Sequence, residues 1–201
     1  MNDNERYIAR VLFKNKVFRS DGQAYEDLFT SVMVKSNSEF SQVKPQGSIG
    51  DHKNDGFDRT TGTYFQCYAP EDLEANEKKS LSKLKTDFDG LIKNWNHEVK
   101  VKKFFYVLND KYKGCYPTVV HALNEIKQKH GLEDCKVFLN KDLETLVFQL
   151  EASEIYEILG SVPAIDIPET IQMSALSEVV DHLIKNMKAL TSSGKLVAPD
   201  F

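Results

Sequence analysis

Residues 40–70, FSQVKPQGSIGDHKNDGFDRTTGTYFQCYAP, restrict the fold of this chain more than any other stretch. Two short apolar runs, 40–43 and 63–68, flank a centre of turn formers in which Gly47, Gly50, Gly56 and Gly62 alternate with Asp51, Asp55 and Asp58. β-Branched and aromatic residues bounded by Gly and Asn predict a hairpin of two strands with a polar tip. Three carboxylates within eight positions exceed what solubility asks of a tip. Carboxylates crowded together repel one another unless a cation lies between them. Hard oxygen donors of this kind suit Mg²⁺, which is held through one or two carboxylates together with water and phosphate. The plainer alternative is a solvated acidic turn.

The flanking segments set the fold class. Residues 1–20 mix apolar and basic side chains and fit either a strand pair or a short helix. Ser20-Asp21-Gly22 is a helix start, and Ala24, Tyr25, Leu28, Phe29, Val32 and Met33 recur at helical spacing after it, with Glu26 at the edge of the stripe. Beyond Pro70 a long polar helix over 71–96 carries Leu84, Phe88, Leu91 and Trp95 on its apolar face. A strand over 101–108, a helix from Pro117 to Gly131, a strand over 135–139 and helices over 142–150 and 153–159 follow. A proline-containing connector spans 161–168, an amphipathic helix 171–190, and an irregular tail 191–201. Strand–helix–strand order favours a parallel crossover, so the expected architecture is an α/β domain with a mixed sheet covered by helices. The expected boundaries are a main domain over 1–165 and a C-terminal helix and tail over 166–201, the tail either loose or leading into a longer parent protein.

At 201 residues the chain has enough length for one sizeable core. No apolar run approaches the roughly 18 residues that span a bilayer. The first residues lack a signal peptide's apolar segment, so the expected location is the cytosol. Cys67, Cys115 and Cys135, odd in number and far apart, suit reduced thiols rather than a disulfide frame or a zinc site. A net charge of −4 provides no overall attraction to nucleic acid, so any such binding must come from a local patch or a metal.

Several side chains are candidates for chemistry. Asp55 would ligand a metal at the first strand of the carboxylate hairpin. In Tyr64-Phe65-Gln66-Cys67-Tyr68, period two places Tyr64, Gln66 and Tyr68 on one face and Phe65 and Cys67 on the other. A Gln within so apolar a strand must be hydrogen-bonded or coordinating, because burying its amide unpaired costs about 1–3 kcal/mol. His52 in the acidic turn could touch a metal or phosphate, and the remaining histidines are scattered without ligand spacing. Neither a nucleophile elbow nor a P-loop is present. Lys100, Lys102, Lys103, Lys111 and Lys113, with Tyr112, could line a phosphate track, the alternative being solvated lysines.

Gly50-Asp51, Asp55-Gly56 and Gln66, preceded by the helix Gly22-Gln23-Ala24-Tyr25-Glu26, resemble the PD-(D/E)xK restriction-endonuclease-like family, and within it the Mrr-like branch. The similarity covers about residues 20–140 and includes the order helix, hairpin, helix, strand, helix, strand. It implies a three-layer mixed sheet flanked by helices. It implies Asp55 as principal metal ligand, Gln66 as second ligand, Glu26 as auxiliary acid and Asp51 as supporting carboxylate. The activity implied is Mg²⁺- or Mn²⁺-dependent hydrolysis of double-stranded DNA, in many members as prokaryotic defence. Dimerisation is common in that family and would suit double-strand cutting; a partner protein or fused domain is a further implied association. The motif lysine, two residues after Gln66, is here Tyr68, which carries no charge at neutral pH. Three outcomes stay open. A lysine from elsewhere, such as Lys53, Lys102 or Lys103, reaches in; the metal suffices, with Tyr68 as a hydrogen-bonding group; or the fold serves as a non-catalytic sensor or assembly module.

Overall fold

In a computed structural model, residues 1–44, 53–72, 77–160 and 177–185 are described, side chains of 77–79 excepted. Asp51, His52, Gly47 and Gly50, the connector over 161–168 and the tail over 191–201 lie outside the described residues. Contacts divide the chain into two compact units, Met1–Pro163 and Ala164–Phe201.

The first unit is a three-layer α/β domain. Its sheet has the order β1-β2-β3-β4-β5, built from Phe40–Gln42, Gly56–Asp58, Thr63–Tyr68, Lys103–Leu108 and Asp134–Phe138. β2 runs antiparallel to β1 and β3, whereas β3, β4 and β5 are parallel. The expected two-stranded hairpin is therefore corrected to a three-stranded meander. Gly56–Asp58, assigned from sequence to a polar tip, is a strand buried at all three positions. Its Gly-Phe-Asp sequence carries no alternation, which hides so short a central strand from pattern reading.

Residues 1–20 resolve as helix α1, Asp3–Arg19, whose start is a capping box between Asn2 and Glu5. α1, α2 (Gln23–Ser36), α5 (Asn140–Val147) and α6 (Ala152–Leu159) cover one face of the sheet around Phe13, Phe29, Phe65 and Phe138. α3 (Glu77–Trp95) and α4 (Pro117–His130) cover the other around Tyr64, Phe88, Phe104 and Tyr106. The period-two reading of β3 follows: Phe65 and Cys67 join the first core, Tyr64 and Tyr68 the second. Trp95 packs on Phe57 and Tyr64 at centroid distances of 5.3 and 6.1 Å, as part of the core rather than as a stacking platform.

In the second unit, a helix over 177–185 exposes Val179, Val180, Leu183 and Ile184. Among the described residues no helix is long and apolar enough to cross a membrane.

Candidate active site

A cleft of about 310 Å³ opens at the C-terminal end of β3, between the start of α2 and the middle of α3. Glu26, Asp55, Gln66, Cys67, Tyr68 and Lys83 line it, with the Gly22-Gln23 turn and Ala69-Pro70 at its margin.

Backbone pairing sets Asp55. Its N–H donates to the Phe65 carbonyl at 3.1 Å and its carbonyl accepts from Val43 N–H at 3.3 Å, so the residue is tied to both neighbouring strands just before β2. The buried Asn54 side chain accepts the Gly56 N–H at 3.2 Å and turns the chain into the strand. Gly56 is required there, because a Cβ would lie 2.2 Å from the Phe40 ring.

Strand register then places Gln66 beside Asp55. Gln66 Nε2 donates to Asp55 Oδ2 at 2.8 Å, and the Cys67 N–H donates to the same oxygen at 2.5 Å. Both residues are buried, Asp55 2 % exposed and Gln66 4 %. The carbonyl oxygen of Gln66 is buried with no hydrogen-bond partner among the described residues. A buried acceptor left unpaired is costly, so this oxygen has the capacity to accept a donor or a cation.

α2 delivers the third oxygen ligand candidate. Gly22 adopts φ 50°, a region that favours glycine, and its N–H donates to Ala69 O at 2.7 Å. That bond pins the helix start to the end of β3 and brings Glu26, in the first turn, to the cleft. Burial pushes the Cys67 thiol well up, and the carboxylates of Asp55 and Glu26 push it further in the same direction. The thiol is thus held protonated beside two acidic groups and is unsuited to nucleophilic attack.

Tyr68, two residues after Gln66, lines the cleft but supplies no cation. Burial raises its phenol, and its ring stacks on Tyr106 at 6.0 Å and 20°. The cation in the cleft is Lys83 of α3, whose Nζ contacts Asp87 Oδ2 at 2.5 Å. Sequence reading passed over Lys83. A usable signal was present: Asp87 falls within the apolar stripe of Leu84, Phe88 and Leu91, where a carboxylate needs cationic partners.

The other candidates sit elsewhere. Lys53 binds Asp87 Oδ1 at 3.2 Å, and its aliphatic stem passes over Gly90 of α3. Lys103 pairs in register with Thr63, and Tyr106 with Gln66, so Lys102 and Lys103 start β4 about 10 Å or more along the sheet from the cleft. Neither lines the cleft. Lys111 closes the end of α1: its Nζ donates to Phe18 O at 2.8 Å and to Asp21 Oδ1 at 2.7 Å. Lys113 is exposed in the loop after β4. Asp58 does not line the cleft. Its Oδ1 accepts from Thr60 N–H, Thr60 Oγ1 and Thr61 N–H, and its Oδ2 from Asn37, which closes the β2–β3 turn.

The oxygen donors of the cleft fit a hard divalent cation: two carboxylates and one unpartnered amide carbonyl, on a helix and two adjacent strands. Among the described residues no group of three or more His, Cys, Asp or Glu side chains forms a metal cluster. Comparison with protein-family models, with curated proteins and with solved structures finds no match for the chain.

Proposed function

We propose that this domain is a metal-dependent phosphodiester hydrolase of the restriction-endonuclease-like type, acting on DNA. The observation that carries the reading is the Asp55–Gln66 pair at 2.8 Å, with the Gln66 carbonyl oxygen buried and unpartnered in a cleft that also holds Glu26. The element order helix, antiparallel strands, helix, strand, helix, strand agrees with the order the motif resemblance implies. Asp55, Gln66 and Glu26 would hold Mg²⁺ or Mn²⁺, which supplies Lewis-acid stabilisation of charge at the phosphate. Within the chain, the Gln66 and Cys67 N–H donors orient Asp55, and Glu26 would accept a proton from an attacking water. Prokaryotic defence is the biological setting this resemblance suggests.

Tyr68, stacked on Tyr106 where the family carries its lysine, favours a second reading: a non-catalytic DNA- or protein-binding module of the same fold. Incubation with plasmid DNA and with RNA in Mg²⁺ or Mn²⁺ separates the two. The hydrolase reading expects DNA cleavage that Asp55→Asn lowers by roughly a hundredfold or more, since the variant keeps the shape but loses the charge. It also expects Mn²⁺ to raise the unfolding temperature of the wild type and not of the variant. A clean negative on both nucleic acids, with no metal-induced shift, selects the binding module.

A further inference from the structure

We propose that Lys83, projecting from α3, contacts the phosphate of the bound nucleic acid, and that Asp87 is its positioning residue. Lys83 lines the same cleft as Asp55, Gln66 and Glu26, yet it enters from the opposite face of the sheet to α2. Its side chain is 39 % exposed, so the ammonium is accessible while its base is fixed on a packed helix. Asp87 is 2 % exposed and lies one helical turn on. One carboxylate oxygen meets Lys83 at 2.5 Å and the other meets Lys53 at 3.2 Å. Because one carboxylate is divided between two ammonium groups, it orients Lys83 without cancelling its charge. A cation held this way beside acidic oxygens is the electrostatic complement of a phosphodiester bridging them. The sequence forces a positional shift here: β3 offers Tyr68, already packed on Tyr106, so positive charge can reach the cleft only from another element.

The inference deepens the hydrolase reading, but the contact itself requires no metal and is decided separately. A short fluorescein-labelled DNA duplex is titrated with the full chain in EDTA across a range of salt. Lys83→Gln is expected to weaken binding about three- to tenfold and to reduce the salt slope by about one, and Lys83→Arg to restore both. Lys85→Gln, on the same helix but paired with Glu125 outside the cleft, is expected to match the wild type. Asp87→Asn is expected to bind the duplex in EDTA at least as well as wild type, yet to lose cleavage in Mn²⁺ because Lys83 is no longer aimed. Absence of duplex binding by the wild type, equal losses in Lys83→Gln and Lys85→Gln, or no change in Lys83→Gln each overturn the proposal. Should Asp55→Asn leave cleavage intact, the hydrolase reading fails while the EDTA titration still decides Lys83.

Discussion

Asp58 and Asp55 lie three positions apart and do opposite work. Burial raises the Asp58 carboxyl, but hydrogen bonds from Thr60, Asn37 and Thr61 outweigh it and hold the group at about 2. A carboxyl lowered in the folded state stabilises the fold above its ordinary value of 3.8, and that stabilisation is lost as pH falls from there through about 2. Asp58→Asn is therefore expected to cost about 1–2 kcal/mol near neutral pH, with the difference from wild type shrinking in acid. Urea unfolding at several pH values measures it, and a pH-independent difference would assign the loss to shape alone. Asp55 accepts from Gln66 Nε2 and from the Cys67 N–H, and the buried carbonyl oxygen of Gln66 sits beside it. The bonds Asp58 accepts all come from its own turn and from Asn37, which makes it a structural carboxylate.

At the scale of elements, the site depends on the tight packing of β1 against β2. Phe40 pairs in register with Asp58, and its ring crosses to Gly56, where it is wedged between Phe29 and Phe65 at 6.0 and 5.8 Å. Gly56→Ala is expected to destabilise by about 1–3 kcal/mol, because a ring already packed on two others cannot yield to the added methyl group. Under the proposed hydrolase reading the same substitution is also expected to reduce Mn²⁺ affinity, since Asp55 is the preceding residue. Isothermal titration with Mn²⁺ beside chemical denaturation checks both; a destabilised variant with unaltered metal affinity would uncouple the wedge from the site.

For the whole molecule, a buried polar network joins the α1–α2 corner to the sheet. Tyr25 donates to Asn140 at 2.6 Å, Asn140 to Asn109 at 2.8 Å, and Asn109 to the Ser20 carbonyl at 2.7 Å. The network secures the turn from which α2 enters the cleft, so the position of Glu26 is linked to residues more than eighty positions away in sequence. Asn109→Ala is expected to cost about 1–3 kcal/mol by leaving the buried Asn140 amide without its acceptor and the Ser20 carbonyl with only the longer bond from Lys111. Thermal unfolding should show one cooperative transition of the main domain at lower temperature, whereas an unchanged midpoint would mean water replaces the lost amide.

Local periodicity was enough to place α2, α4, β3, β4 and β5, because each carries its own apolar stripe or alternation. Asp55 and Gln66, which hydrogen-bond to each other, also stood out locally, as an acidic residue before glycine and an amide within an apolar strand. The short strand Gly56–Asp58 was not: three residues hold no period, and their pairing partners lie on two other segments. The choice among lysines depended wholly on tertiary structure. Charge acts through space, and only the register of β3 on β4 and the packing of α3 determine that Lys103 stands at the far end of the sheet while Lys83 enters the cleft.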